Sequence, residues 1–209
     1  PLALAPPFYA DAQLAQVSGN TFSCGLAQGF TLSGTLTTNS TLRTIDGQST
    51  LRLPGALTVN GGVRLTIPAG FTMEAQGNTI GVSGTLLAEG TVAQPIHFNN
   101  TLVDLRAGSG ASRISRSTFT GQGPCACLTT RCCAFPDVLI TDASPLVTNN
   151  TFEDTPQGIW VRGVTPGITT APTLSGNMIT TTDLGIVFQG GAQGTASGKT
   201  APAERRDVA

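Results

Sequence analysis

Charge is scarce in this sequence, and its absence excludes some functions at the start. Charged residues make up 11% of the chain, less than half of the ~25% found in ordinary globular domains. Lys199 is the single lysine, and the net charge is −1. Because nucleic-acid binding requires several clustered cations to neutralise phosphates, the sequence predicts no nucleic-acid partner.

Long apolar runs and helical periodicity are also missing. No apolar run approaches the ~20 residues that a membrane-spanning helix needs, so no membrane-spanning segment is predicted. No stretch shows the apolar stripe of an amphipathic helix. Hydrophobic residues nevertheless make up 39% of the chain, and their recurrence in short runs favours a folded protein over disorder.

From about residue 31 onward, apolar and polar residues alternate in short runs separated by Gly or Pro. Leu42-Arg43-Thr44-Ile45, Leu57-Thr58-Val59 and Val63-Arg64-Leu65-Thr66-Ile67 are three of these runs. Alternation with period two is typical of half-buried β-strands. Strands this short pair in an antiparallel sandwich or stack as a solenoid, and a constant repeat distinguishes the two.

Two repeats favour the solenoid. The pair Leu57/Val59 recurs as Ile80/Val82 and as Val103/Leu105, with a step of 23 residues. A longer repeat of 27 residues aligns the segment 144–163 with the segment 171–190. A weaker copy at 114–119 precedes Val147 by 33 residues and has Ser117 where the other two copies have Asn.

Asn150 and Asn177 occupy the same position in the 27-residue repeat. Asn tolerates left-handed backbone, so both residues are expected in the turn between two strands of one coil. Stacked side chains at a constant offset are also expected to form a hydrogen-bonded ladder along the solenoid, as Asn ladders do in other stacked-strand assemblies.

One pattern recurs in Pro145–Gly163 and Pro172–Gly190: Pro–x–apolar–x–x–Asn–x–Phe/Ile, followed later by Gly–Ile and two apolar residues. It resembles right-handed parallel β-helix repeat proteins of the pectate-lyase-like type. The segment Leu57–Asn99 is similar to the N-terminal coils of large bacterial surface β-helix proteins. The resemblance implies an all-β, right-handed parallel β-helix. Its expected parts are an irregular N-terminal cap at 1–30, the β-helix at 31–190 with a Cys-rich loop at about 121–136, and a flexible tail or linker at 191–209.

The Cys-rich loop contains the densest chemical feature of the chain, Cys125-Ala126-Cys127 and Cys132-Cys133. Two disulfides that staple an irregular loop are the favoured interpretation, with undetermined connectivity. A zinc site and free thiols are the alternatives, but adjacent cysteines suit one tetrahedral ion poorly. Cys24 is left over, either buried and free or paired with another chain. We predict no metal ion and no other cofactor.

Catalytic signatures are not recognised, so no catalytic residue is assigned. His97, the single histidine, is expected to point outward as an ordinary surface residue. Trp160 and Arg162 are candidates for carbohydrate binding together with the neighbouring acids Glu153 and Asp154. Two carboxylates must face one bond to cleave it, and adjacent strand residues point in opposite directions, so this acid pair need not converge.

The sequence is compatible with three functions. The leading hypothesis is a non-enzymatic extracellular or cell-surface module that acts as a spacer, adhesin or assembly subunit. The alternatives are a carbohydrate-active enzyme or carbohydrate-binding module that acts on polysaccharide, and an accessory subunit of a membrane-associated complex. The cysteines and the sites Ala3-Leu4-Ala5 and Ala10-Asp11-Ala12, which resemble signal-peptide cleavage sites, favour a secreted location. We expect other domains or subunits to cover the C-terminal coil.

Overall fold

In a computed structural model, the described residues are 9–11, 30–44, 47–121, 135–180, 184–197 and 200–201. They form short parallel strands, and none of them is helical. The strands are β1 Tyr9–Asp11, β2 Phe30–Leu36, β3 Ser40–Thr41, β4 Thr50–Arg52, β5 Leu57–Val59, β6 Arg64–Ile67, β7 Thr72–Glu74, β8 Thr79–Val82, β9 Thr85–Glu89, β10 Ile96–Asn99 and β11 Leu102–Leu105. They continue as β12 Arg113–Ser115, β13 Ser117–Thr120, β14 Val138–Thr141, β15 Leu146–Thr148, β16 Thr151–Glu153, β17 Gln157–Gly163, β18 Thr173–Ser175, β19 Met178–Thr180, β20 Leu184–Gly190, β21 Thr195–Ser197 and β22 Thr200–Ala201.

The chain winds through three parallel sheets, one strand of each per coil. Sheet C contains β3, β6, β9, β12, β15, β18 and β21, and sheet B contains β2, β5, β8, β11, β14, β17 and β20. Sheet A contains β1, β2, β4, β7, β10, β13, β16, β19 and β22, and β2 joins it to sheet B. Each coil passes from C to A to B. The fold is a right-handed parallel β-helix of about seven coils, which confirms the predicted fold class.

Pairing between coils confirms the predicted repeats. Ile80 pairs with Leu57 and Val103 pairs with Ile80, as the 23-residue step requires. The 27-residue step pairs Phe152 with Ile179 and Ile159 with Ile186. Equivalent residues of successive coils therefore lie directly above one another, at the spacing of about 4.8 Å between neighbouring strands.

The core is the interior of the coil, filled by one inward row of side chains from each sheet. On sheet A, Phe98, Phe119 and Phe152 are each at most 1% exposed. Their rings stack with centroids 4.7 Å apart at both steps, nearly parallel at 10° and 7°. The axial repeat of the strands sets this ring spacing, so the aromatic column follows from the in-register pairing.

The corner between sheets C and A holds a column of polar side chains. Ser117, Asn150 and Asn177 are buried here. The Nδ2 of Asn150 donates to Ile114 O of the preceding coil and to the Oδ1 of Asn177. The Nδ2 of Asn177 donates in the same way to Val147 O. Each amide thus satisfies buried backbone groups where the chain bends.

The left-handed backbone at this corner belongs to a different residue than predicted. The residues just before the column, Arg116, Asn149 and Gly176, have φ of 48°, 55° and 65°. Asn150 and Asn177 are not among the residues with positive φ. The preceding residue makes the turn, and that turn directs the asparagine side chain into the coil interior, where its amide is hydrogen bonded.

Two further details of the fold are not evident from the alternation of apolar and polar residues. The run beginning at Leu42 was expected to form a strand, but β3 ends at Thr41. Leu42 is still buried, and its N–H donates to Thr66 O, 2.9 Å away. Pairing also extends beyond the central region, because β1 pairs with β2 and both β21 and β22 pair with strands of the preceding coil.

Candidate functional site

The outer surface of sheet B carries two of the four residues predicted to bind carbohydrate. Trp160 and Arg162 flank Val161, whose side chain is fully buried. Because side chains alternate along a strand, Trp160 and Arg162 both point outward. In register beside Trp160 lie Leu139 in the preceding coil and Val187 in the next.

Trp160 and Arg162 contact each other. The Cζ of Arg162 lies 5.4 Å from the centroid of the indole ring, within the range of a cation–π interaction. The guanidinium therefore lies over one face of the indole ring. A half-exposed pair of this kind contributes about 0.5–1 kcal/mol to stability.

Three polar atoms on this surface lack hydrogen-bond partners within the described part of the chain. They are Trp160 Nε1, Arg162 Nε and Gln189 Oε1, all shielded from solvent. Gln189 pairs in register with Arg162, so the three groups lie on neighbouring strands. Since buried polar groups are nearly always hydrogen bonded, this cluster has unused capacity to bind a polar group.

Glu153 and Asp154 lie in a different part of the coil. Glu153 is on the outer surface of sheet A, in register with Thr120 and Thr180. Asp154 follows β16 with a φ of 53°, where the chain leaves sheet A. In the described residues, no ion pair joins either acid to Arg162. The fold brings Trp160 and Arg162 together and places Glu153 on another sheet.

A charged pair that the sequence reasoning did not single out lies earlier on sheet B. The Nε of Arg106 is 2.7 Å from the Oδ2 of Asp104. The guanidinium of Arg106 covers Gly81 in the preceding coil, where a Cβ would lie 3.1 Å from its Nη2. The alternation in the sequence indicates that both side chains point outward, because Asp104 and Arg106 flank the buried Leu105.

Asp137 is the most strongly perturbed acid of the described residues. It lies just before β14 and is 2% exposed. Burial raises the pKa of its carboxyl to about 8, and a hydrogen bond with Thr155 opposes the shift in part. The backbone around it is fixed, since its N–H donates to Gln157 O and its carbonyl accepts from Val103 N–H. Asp137 is therefore able to hold a proton near neutral pH, but it does so inside the protein.

Asp142 has the opposite environment. The hydroxyl of Thr165 donates to its Oδ2 at 2.6 Å, and the backbone N–H groups of Val164 and Thr165 donate to its Oδ1 at 2.8 and 3.2 Å. These bonds, led by that of the Thr165 hydroxyl, hold the pKa of Asp142 below its usual range. The carboxylate anchors the segment after β17 to the preceding coil, which is a structural task.

His97 belongs to no recognised catalytic group among the described residues. His97 lies on β10 between the buried Ile96 and Phe98, and its in-register neighbours are Thr72 and Thr118. In the residues that the structure describes, no three side chains of His, Cys, Asp or Glu cluster as a metal site. The five cysteines, Cys24, Cys125, Cys127, Cys132 and Cys133, lie outside the described residues, so the disulfide prediction stays a prediction.

Comparison of the chain with protein-family models, with curated proteins and with solved structures gives no significant match. Within the described ranges, no helix has the length and apolar character to cross a membrane. The outer surface of sheet B presents the indole of Trp160, the guanidinium of Arg162 and the amide of Gln189 side by side, and these groups can hydrogen bond to a polar ligand.

Proposed function

We propose that this chain is a non-enzymatic structural module that acts outside the cell as a rigid spacer, adhesin or assembly subunit. The observation that carries the proposal is the continuous axial column of Phe98, Phe119 and Phe152, stacked at 4.7 Å. Each coil is held to the next by strand pairing in all three sheets. Such a rod keeps whatever is attached to its two ends at a fixed separation.

The roles of the acidic side chains support a structural interpretation. Glu74 pairs with Arg52 at 3.1 Å and Asp104 pairs with Arg106 at 2.7 Å. Asp142 anchors a loop, and Asp137 is buried. Glycoside hydrolysis requires two acids on either side of one bond, and these four carboxylates are each engaged elsewhere or enclosed. The secreted or cell-surface location stays a prediction from the sequence.

The test is incubation of the purified chain with a panel of bacterial and plant polysaccharides, with and without calcium. Both new reducing or unsaturated ends and the protein retained on each glycan are measured. The proposal predicts no new ends under any condition. Turnover that disappears in Glu153→Gln, with an unchanged melting temperature, would show that the chain is an enzyme.

A carbohydrate-binding module is the second candidate, favoured by the unpartnered polar atoms around Trp160. A sugar hydroxyl bound at this surface would have the guanidinium of Arg162 and the amide of Gln189 as hydrogen-bonding groups, with the indole ring of Trp160 beside them. Retention on a glycan without products, lost in Trp160→Ala, would support it. Phe135→Ala is the matched control, since Phe135 is 45% exposed and lies outside the strands of sheet B.

A further inference from the structure

A groove of about 420 Å³ lies at the corner between sheets C and A. Six residues separate β9 from β10 at this corner, whereas one residue, Arg116, separates β12 from β13 in the next coil. The long corner therefore overhangs the shorter corners beside it. This difference in length creates the groove, and its volume lies in the range of small-molecule binding clefts.

The overhanging wall is a closed turn. The N–H of Thr91 donates to Gln94 O at 3.0 Å, and the N–H of Gln94 donates to the Oγ1 of Thr91 at 2.9 Å. The N–H of Gly70, in the preceding coil, donates to the same Gln94 carbonyl at 3.1 Å. Val92, which is 91% exposed, and Pro95 belong to this turn, and both line the groove. The wall thus presents an aliphatic surface towards the groove.

The floor of the groove is polar and belongs to the regular part of the solenoid. Thr118 and Thr151 pair in register on sheet A and both line the groove. Their side chains point outward because Phe119 and Phe152 beside them are buried. Two hydroxyls are therefore held about 5 Å apart, the distance between neighbouring strands. Asn149 contributes an exposed amide at the edge.

A corner with a purely structural role does not require an arginine at position 116. Its φ is 48°, and the same corner position is taken by Asn149 and Gly176 in the next two coils. Asn and Gly adopt left-handed backbone readily, whereas Arg does so at a cost. Arg116 nevertheless occupies the position, and its side chain lines the groove. Among the described residues its guanidinium has no ion-pair partner.

We propose that this groove binds the free carboxylate at the end of an extended peptide whose last residue has a small aliphatic side chain. The guanidinium of Arg116 pairs with the carboxylate, since its planar fork matches that group. The hydroxyls of Thr118 and Thr151 hydrogen bond to the carboxylate or to the last peptide group. Val92 and Pro95 contact the aliphatic side chain.

The composition of the groove favours a peptide end over an acidic sugar. Its described lining contains no aromatic ring that offers a flat face to a sugar. An exposed valine beside an arginine that has no ion-pair partner in the described part of the chain complements a ligand that joins a short apolar group to a negative charge. This inference does not depend on the structural role proposed for the whole chain.

The experiment measures binding of acetyl-Ala-Ala-Val as the free acid and as its C-terminal amide, by NMR titration of the full chain. The free acid is expected to bind with a dissociation constant below about 1 mM and at least tenfold more tightly than the amide. Arg116→Asn is expected to weaken binding of the acid at least tenfold. Because Asn suits left-handed backbone, this variant is expected to melt at or above the temperature of the parent protein.

Arg113→Gln is the matched control, since Arg113 belongs to the same coil but lies on sheet C outside this groove. It is expected to bind the acid like the parent protein. Thr151→Val, which removes one hydroxyl and keeps the shape, provides a second variant if Arg116→Asn fails to fold. Equal binding of acid and amide would overturn the proposal, as would tighter binding of a hexuronate disaccharide or no binding of any probe at millimolar concentration.

Discussion

The Nδ2 of Asn150 donates a hydrogen bond to the Oδ1 of Asn177, 3.1 Å away in the next coil. The Oδ1 of Asn150 in turn accepts from the backbone N–H of Ser117, 2.9 Å away in the preceding coil. One side chain therefore connects three successive coils at the corner between sheets C and A. Both residues are almost fully buried, so water cannot replace these bonds.

Asn150→Ala is expected to lower the free energy of unfolding by about 3 kcal/mol. The substitution removes the acceptor of the Ser117 N–H and the side-chain donor to the Ile114 carbonyl, at a cost of about 1–3 kcal/mol for each buried group. Chemical denaturation measures the change. Asn60→Ala, at an exposed turn residue, is the control and should change stability by less than about 0.5 kcal/mol. Equal effects of the two substitutions would contradict the ladder.

The aromatic column gives a second prediction. Phe119 lies between Phe98 and Phe152, with a ring above and below it. Phe119→Ala is expected to cost about 3–5 kcal/mol of unfolding free energy, since it opens a cavity and removes both ring contacts. Phe119→Leu keeps most of the apolar volume and should cost less. A loss below about 1 kcal/mol in the alanine variant, measured by thermal or chemical denaturation, would exclude the column.

Ile159 and Ile186 provide a matched pair on sheet B. They pair in register, but Ile159 is 1% exposed, whereas Ile186 is only partly buried. Ile159→Ala is expected to lower the free energy of unfolding by about 2–5 kcal/mol. Ile186→Ala should cost clearly less, because fewer atoms surround its side chain. A larger loss of unfolding free energy in Ile186→Ala than in Ile159→Ala would show that burial does not decline towards β20.

The pKa of Asp137 makes stability depend on pH. In the unfolded chain this carboxyl has its ordinary pKa of 3.8, and in the folded protein burial raises the pKa to about 8. Between these values the folded state holds the proton and the unfolded state does not. The contribution of Asp137 to the unfolding free energy is therefore greatest below about pH 4. It falls by up to about 1.4 kcal/mol per pH unit as pH rises towards 8.

Asp137→Asn removes this titration. The variant should unfold with a weaker dependence on pH between about 4 and 8 and should be more stable than the parent protein at pH 8. Asp154→Asn is the control, because Asp154 is exposed and Asn also tolerates its φ of 53°. Urea denaturation at several pH values measures both. If the unfolding free energies of the parent protein and of Asp137→Asn change equally between pH 4 and pH 8, the carboxyl of Asp137 is not protonated in the folded state.

Asp142 anchors the segment after β17, and its removal should loosen that segment alone. Asp142→Gly keeps the left-handed backbone at this position, where φ is 53°, and removes both acceptor oxygens. Hydrogen exchange at the amides of Val164 and Thr165 should become faster, because these N–H groups lose their acceptor. Asp154→Gly is the control. Unchanged exchange at both amides would mean that the carboxylate does not hold the loop.

Much of the fold follows from the sequence because a solenoid repeats in one dimension. The steps of 23 and 27 residues identify which residues stack, as the pairs Leu57–Ile80 and Ile159–Ile186 demonstrate. The corner conformation did not follow in the same way. Asn149 and Asn150 are chemically alike, and only the direction of the chain decides that Asn149 takes the positive φ and Asn150 enters the interior.

The candidate site was less predictable than the fold. Glu153 and Trp160 are close in sequence, but alternation does not tell on which of three sheets a short strand lies. The groove beside Arg116 could not be predicted from the sequence because it depends on the lengths of neighbouring corners. The proton on Asp137 depends on burial by other coils. These properties depend on contacts between coils, whereas a sequence pattern describes one strand at a time.

The central claim is that the coils form one rigid, in-register rod, and a distance across many coils tests it most directly. Thr50 and Met178 lie on the outer row of sheet A, five strand-pairing steps apart. Spin labels introduced there through non-natural amino acids, which leave the cysteines untouched, are measured by pulsed electron resonance. The account predicts one narrow distribution, with a backbone separation of about 24 Å plus the label arms. A broad distribution, or one centred far beyond that separation, would contradict it.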